Sequence, residues 1–594
     1  MLTGSLEQAV EQYNARSPLK GMSSQDSRER HLLTLMMMPG SSLFRPYNLN
    51  TYTGTALSLL TERHRPYSGD DMEHFVLSCV RIGWTEPLTA DVATWATQLW
   101  ATSDQSKSGA PTYLYWDWHV KAVYSSYHVP RTKHGTSDRI VGARKQLMLH
   151  DGGGHLLFMH TYRGDTHLIA GMVDGTTYYE GLAESQRLTH QIFDREGLSV
   201  AHFKDLLGGE ERRQFITCLK SNQYEGVDSF ELSSSFVPFR HDKHGQVVQE
   251  IAEASYVLKD RRAGEDNLPL RAILLRKPSD ETGDEAHLHV LVTSDRETPA
   301  ADIARWYRDR YPKQENAIRD WWLPLGGDAN VGYDKRKVEN SELTKRKTEL
   351  EAQLETLEHH ITTCQARLQS AQRQYQKRTS RYQAEQQAAR QSLQEAIQQR
   401  DAQGDAALTI YQWTQSEETR IQEQLEPQQA RVKAAAERIE KEQGKQQRYC
   451  EEQLKKKQAL AKIEQKMVIC PMYELDDRKD QLWSTLRLCL GNVLQWLRDT
   501  VFPKSYINAT YETLAPFVQM GGFVIGHPDR IEVFLDGFWQ SAKQRDLAEV
   551  VERCNAQSFT APDGRSAIPH LSSARAHLDM QLLKFRTDFL MIWT

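Results

Sequence analysis

Tyr113-Leu114-Tyr115-Trp116-Asp117-Trp118-His119 is the stretch on which the fold turns. Aromatic and aliphatic residues crowd along it, and Val120-Lys121-Ala122-Val123-Tyr124 follows, so the segment reads as a strand or strand pair. Its one aspartate stands between two tryptophans. A carboxylate in an apolar strand is costly unless it is paired or bound to a metal, so Asp117 asks for a partner. A second such residue, Asp194, closes the short apolar run in Gln191-Ile192-Phe193-Asp194-Arg195-Glu196-Gly197. For either aspartate alone, an ion pair with a nearby arginine explains as much as a functional site does.

Outward from Asp117, two further strands over 145–150 and 155–162 flank Asp151-Gly152-Gly153-Gly154, which has the composition of a hairpin turn. A helix is expected over about 178–188, a strand over 189–193, a helix over 200–207 and a strand over 215–219. Three antiparallel strands followed by alternating helix and strand is the order of an RNase H-like α/β fold, one of several α/β options. The core so defined spans 109–325, beginning at Gly109-Ala110-Pro111, with a β-rich insertion at about 221–294.

A third carboxylate lies in Trp306-Tyr307-Arg308-Asp309-Arg310-Tyr311-Pro312-Lys313-Gln314-Glu315-Asn316, at the start of a helix-like run. Glu315 among arginines and a lysine also reads as a solvated ion-pair cluster. In an RNase H-like core, adjacent central strands bring Asp117 and Asp194 together and the later helix brings Glu315 over them. Three carboxylates around one point repel, and divalent cations relieve that; hard oxygen ligands favour Mg²⁺ or Mn²⁺. Two ions about 3.5–4 Å apart can activate a water or a 3′-hydroxyl and stabilise the leaving oxygen of a phosphodiester. Arg308, Arg310 and Lys313, with Arg131 and Lys133 of the basic loop before β-strand 145–150, would then hold the phosphate backbone.

The flanks read differently. Residues 1–27 are polar, a flexible arm. Residues 28–108 are helical, broken at Pro39-Gly40 and Ser68-Gly69, with basic connectors at Arg45, Arg63, His64 and Arg65. Such a region suits a helix-turn-helix DNA reader or any small helical bundle. Over 335–470, Leu350, Leu354, Leu357, Ile361, Cys364, Leu368, Ala371 and Tyr375 form a heptad seam. A second arm carries Ile421, Leu425, Val432, Ile439, Leu454, Ile463 and Met467, with Pro427 as a kink, after a break at Asp401-Ala402-Gln403-Gly404-Asp405. Two comparable arms make an antiparallel helical hairpin roughly 90 Å long; parallel homodimerisation along the first arm is the alternative. Residues 477–594 read as a small C-terminal α+β region with no catalytic signature.

At 594 residues the chain suggests several domains. Lys+Arg 74 against Asp+Glu 79 gives −5, so nucleic-acid binding must come from local basic patches. The 7 cysteines are scattered without a Cys-x-x-Cys pair, which argues against a zinc site or disulfide framework and fits a reducing cytosol. The first residues lack a signal-peptide pattern, and no apolar run approaches the roughly 20 residues needed to cross a bilayer. The expectation is a soluble cytoplasmic protein, nucleoid-associated when on DNA, with no membrane partner.

In these motifs the chain resembles the DDE transposases of bacterial insertion sequences, within them the group with a Tyr-Arg-Glu motif and a β-rich insertion. The resemblance rests on Tyr-Trp-Asp117-Trp-His, on Phe-Asp194-Arg-Glu-Gly and on Tyr307 to Asn316. It extends to Leu43-Phe44-Arg45-Pro46 and to Gly332-Tyr333 and Val338-Glu339-Asn340-Ser341-Glu342, covering roughly 28–345. The long helical appendage is similar to that of a subgroup. The resemblance implies an RNase H-like core, Mg²⁺- or Mn²⁺-dependent cleavage at transposon ends with two ions on Asp117, Asp194 and Glu315, and strand transfer into target DNA. It also implies Tyr307 and Arg310 as contacts to double-stranded DNA, and a homodimer at least on DNA. Two departures stand out. The usual motif runs Tyr, two residues, Arg, three residues, Glu, six residues, Lys; here Glu315 comes one residue late, and Trp322 stands where the lysine would be. Arg319, one turn after Glu315, is the candidate to replace that lysine. Two other readings are a non-catalytic DNA-binding scaffold derived from a transposase and a metal-dependent nuclease without strand transfer.

Overall fold

The computed structural model describes residues 2–16, 24–54, 57–58, 61, 63, 65–101, 113–135, 138–182, 188–208, 213–259, 267–278, 288–403, 406–560 and 564–571. The boundary at Gly109-Ala110-Pro111, the Gly404-Asp405 break and part of the 178–188 helix lie outside them. The chain divides into two compact units, residues 1–336 with 474–594, and residues 337–473.

The first unit opens with helices α1 (Leu2–Arg16), α2 (Gln25–Met37), α3 (Gly69–Arg81) and α4 (Thr85–Trp100). Of the flexible arm expected over 1–27, the stretch Leu2–Arg16 is instead a docked helix: α1 buries Leu6, Ala9 and Val10 against the helical core, and Trp84 Nε1 donates to Ser5 Oγ at 3.0 Å. Three apolar residues at helical spacing suffice to dock a helix whose composition is mostly polar. Ser68 caps α3 reciprocally with Asp71, which fixes the turn read at Ser68-Gly69.

Eleven strands form one mixed sheet: β1 (Tyr113–Ala122), β2 (Arg131–Lys133), β3 (Ile140–His150), β4 (Leu156–Arg163), β5 (His190–Phe193), β6 (Gln214–Cys218), β7 (Glu231–Leu232), β8 (Val237–His241), β9 (Val247–Lys259), β10 (Asn267–Arg276) and β11 (His289–Thr293). The order is β2-β3-β1-β5-β6-β11-β10-β9-β7, with β4 also on β3 and β8 also on β9. β1 runs antiparallel to β3 and parallel to β5, and β5 is parallel to β6. The β-rich segment does not stand apart, because β11 pairs antiparallel with β6 and continues the sheet. Both faces of the central strands are covered, which is why their sequences are nearly continuous apolar runs. Between them lie α5 (Leu168–Leu182) and α6 (Val200–Gly208); α5 starts ten residues before the helix expected from about 178. α7 (Ala300–Arg310) follows β11.

The second unit is a pair of long helices, α8 (Ser341–Ala402) and α9 (Ala407–Ile469). Lys347 pairs with Glu464 at 3.0 Å and Lys456 Nζ donates to Gln353 at 2.7 Å, a register in which the helices run antiparallel.

The first unit then resumes with α10 (Arg478–Thr500). The C-terminal α+β region expected over 477–594 belongs to the same unit as the sheet, and its first helix, α10, is a core helix packed against α2, α4 and β4. Besides its leucines it buries Lys479, Asp480, Gln481, Ser484 and Arg487. Lys121 Nζ on β1 donates to both Asp480 oxygens at 2.8 Å, Arg144 Nε on β3 donates to Asp477 at 2.6 Å, and Gln146 Nε2 donates to Ser484 at 2.9 Å. Buried charges persist only where such partners are complete. Arg487 also donates to the carbonyl of Phe44 at 2.7 Å, and Gly326, at φ +79, leaves no room for a Cβ beside the Phe44 ring. The Leu43–Pro46 motif is thereby packed against the core. α11 (Tyr511–Val518), α12 (Ser541–Gln557) and a three-stranded sheet of Gly522–Gly526, Arg530–Leu535 and Ser566–Leu571 are the further described elements of the unit. No helix among the described residues is long and apolar enough to cross a membrane.

Candidate active site

Strand register brings the two aspartates side by side. β1 and β5 are parallel with Tyr115 opposite Ile192 and Trp116 opposite Phe193, so Asp117 and Asp194 each take the next position. Side chains alternate between faces along a strand. Trp116 and Phe193 enter the core on one face, Tyr115 and Ile192 the core on the other, together with Ile303 and Ala304 of α7. Asp194 keeps extended backbone (φ −72, ψ 162), so both carboxylates belong to the face that α7 covers.

The helix delivers Glu315 through a change of pitch. After Arg310 the chain makes two π-helical turns, Tyr311–Glu315 and Ile318–Trp322; Leu323 N–H, for instance, reaches the carbonyl of Ile318 at 2.9 Å. A π turn holds one residue more than an α turn, so it absorbs the extra residue noted before Glu315. Gln314, where the usual spacing would put the glutamate, turns into the sheet and is fully buried. Its Nε2 donates to the Tyr115 carbonyl at 3.1 Å and lies 3.4 Å from His150 Nδ1. Burial pushes the His150 imidazole down to about 3, which leaves the ring neutral. Gly154, at φ +90 in the turn after β3, meets the same segment: a Cβ there would stand 2.7 Å from the Lys313 carbonyl oxygen. Sequence reasoning did not single out Gln314, His150 or Gly154; the displaced glutamate was the available signal.

Arg310 joins the acids. Its Nη1 donates to Asp117 Oδ2 at 2.8 Å and its Nη2 to Glu315 Oε1 at 3.2 Å, while Trp118 N–H donates to Asp117 Oδ1 at 2.8 Å. Burial nevertheless pushes the Asp117 carboxyl up to about 6, against the pull of Arg310 and Trp118 N–H and with help from the negative charges of Asp194 and Glu315. Burial works against the charge of Arg310, but Asp117, then Tyr307, Asp194 and Glu315, raise its proton affinity above the ordinary arginine value. All three acids are thus electrostatically coupled through one guanidinium. Their carboxylate oxygens are the hard donors that Mg²⁺ or Mn²⁺ takes. Yet among the described residues no group of three His, Cys, Asp or Glu is gathered so as to hold a metal ion. The donor chemistry fits a divalent cation, and the arrangement holds Arg310 between two of the donors.

The other basic residues divide. Tyr307, Arg308 and Tyr311 line a groove of about 270 Å³ with Arg240 and His289, and Arg310 and Glu315 form part of its wall. Burial raises the Tyr307 hydroxyl well above the ordinary tyrosine range. Lys313 pairs with Asp309 at 3.6 Å, and Arg319 is exposed and engaged with Asp320 at 2.6 Å. Trp322, at the lysine position, is buried. Arg131 and Lys133 are not brought to the acids: Arg131 pairs with Gly142, and β1 runs from Asp117 opposite Met148 to Ala122 opposite Ala143. At about 3.3 Å per residue that places them at the far end of β1, where Lys133 pairs with Asp138 at 2.7 Å.

No family model and no curated protein matches the sequence. Among solved structures, the chain is similar to a piggyBac transposase in a cryo-EM synaptic complex with hairpin DNA, at 14% identity and a TM-score of 0.28. The match covers 54% of this chain and spans 64% of that one.

Proposed function

We propose that the chain is a DDE-type transposase with an RNase H-like core, cutting DNA at the ends of a mobile element and joining the freed 3′ ends to target DNA. The observation that carries this reading is the β1–β5 register, which sets Asp117 beside Asp194 under the helix that bears Arg310 and Glu315. The sheet order β4-β3-β1-β5-β6, three antiparallel strands then two parallel ones, is that of the RNase H-like reading and supports it. Asp117, Asp194 and Glu315 would hold Mg²⁺ or Mn²⁺, two ions in the full site. Such ions, when bound, lower the pKa of the attacking water or 3′-hydroxyl and stabilise the leaving oxygen. The protein's own part is to fix Asp117 and Asp194 on rigid strands, to seat Glu315 through Gln314, and to hold DNA phosphates by Arg308 and Arg310. Tyr307 lines the same groove. Transposition needs two ends held together, so a homodimer on DNA is part of the proposal, with the α8–α9 hairpin pairing or spacing the ends.

The test is direct. Purified protein, Mg²⁺ or Mn²⁺, and labelled DNA carrying the sequences that flank the gene should yield nicked and then joined products. Asp117→Asn, Asp194→Asn and Glu315→Gln should abolish both while leaving DNA binding largely intact. Free 3′ ends without joined products would favour a nuclease. A non-catalytic scaffold is the reading that the Arg310 bridge favours, and it predicts no nicking even with Mn²⁺.

A further inference from the structure

Arg310 stands in the place a cation would need. It touches Asp117 and Glu315 at once, its side chain is only 14% exposed, and it also lines the groove that holds Arg308, Arg240 and Tyr307. A guanidinium and a divalent cation compete for two carboxylates at such distances, because like charges a few ångströms apart repel strongly. The planar fork that satisfies two carboxylates matches a phosphate equally well. Arg308 and Arg240 give the groove further positive charge to draw one in.

We infer that Arg310 makes the acidic site conditional on substrate: without DNA it is the counter-ion of Asp117 and Glu315, and a backbone phosphate in the groove takes it over, freeing both carboxylates for a divalent cation. The inference rests on the metal-dependent reading above. It explains why the donors are right and their grouping is not. It also implies reciprocity, since a phosphate that favours the metal must be favoured by it to the same degree.

Mn²⁺ binding, read from the electron paramagnetic resonance of free Mn²⁺, tests this. Wild type, Arg310→Gln and Asp117→Asn are compared with and without a short DNA duplex, and the Asp117→Asn titration is subtracted as background. Wild type is expected to bind Mn²⁺ about tenfold or more tightly with the duplex, and Arg310→Gln to bind it without duplex as wild type does with it. Equal Asp117-dependent binding by wild type with and without duplex overturns the gate and leaves the metal site standing. No Asp117-dependent binding under any condition overturns both. Circular dichroism checks the fold. Should Arg310→Gln not fold, Arg310→Lys keeps one charge but cannot bridge; its dependence on duplex should shrink, and an unchanged dependence overturns the inference.

Discussion

Arg310 donates to Asp117 at 2.8 Å, yet Asp117 still binds its proton more tightly than a free aspartate does, at about 6 against 3.8. Burial and two neighbouring acids outweigh one guanidinium. Because the folded value lies above the unfolded one, the contribution of Asp117 to stability is fully present below about pH 4 and lost as pH rises through about 6. Asp117→Asn removes that loss. The variant should be more stable than wild type at about pH 8 by on the order of 2–3 kcal/mol, and the gain should vanish towards pH 4. Urea melts across this range measure it. An Asn variant that is less stable at pH 8 would show that Arg310 dominates after all. If the proposed metal-dependent cleavage uses Asp117 as a ligand, it needs the ionised carboxylate and should fall as pH drops below about 6.

The π turn makes a sharper claim about which residue faces the site. Gln314 is tied to β1 through the Tyr115 carbonyl, and Glu315 faces Arg310. A double variant, Gln314→Glu with Glu315→Gln, restores the usual motif spacing on paper but points the acid into the sheet. It should lack the proposed cleavage and be less stable, because an ionised carboxylate would then face a buried carbonyl. Gln314→Leu alone should cost about 1–3 kcal/mol, leaving that carbonyl without its donor. Restored cleavage in the double variant would mean the helix re-registers and the wide turn is not held by its contacts.

How much of this was legible in the sequence depends on the range of the signal. β1, β3, β4, β5 and β6 announced themselves through local apolar runs and one Asp-Gly-Gly-Gly turn. The β-rich segment was visible as strands, but its attachment through β11 to β6 is a pairing over 70 residues and has no local mark. The leucines of α10 are a local signal; that Lys479, Asp480 and Arg487 are buried as well depends on partners such as Lys121, hundreds of residues away. A π turn shifts one residue and leaves periodicity almost unchanged, so only the motif offset hinted at it. Arg131 and Lys133 follow Asp117 closely in sequence, but an extended strand carries them to its far end.

The Lys121–Asp480 pair bears on how α10 belongs to the core. Both side chains are fully buried, and Asp480 also accepts from Val331 N–H at 3.0 Å. Removing one partner leaves an uncompensated buried charge, so Asp480→Asn or Lys121→Met should each destabilise by about 3–5 kcal/mol. The double variant should cost much less than the two added together. Thermal melts of the four proteins form the cycle. Additive losses would mean the charges are stabilised by other groups, Arg144 foremost, rather than by each other.

In the α8–α9 pair, the heptad seam is closed within one chain. Leu354, Leu357, Cys364 and Ala371 on α8 are buried, as are Ala435 and Ile463 on α9. A parallel homodimer along α8 would need the same apolar stripe, so the two arrangements compete for one surface. Leu354→Ala and Leu357→Ala each empty part of the seam and should cost about 2–4 kcal/mol of hairpin stability, seen as an earlier loss of helical signal on heating. Because the seam is intramolecular, light scattering should give the same mass for wild type and variants in the absence of DNA. A mass that halves in the double variant would place the seam between two chains instead.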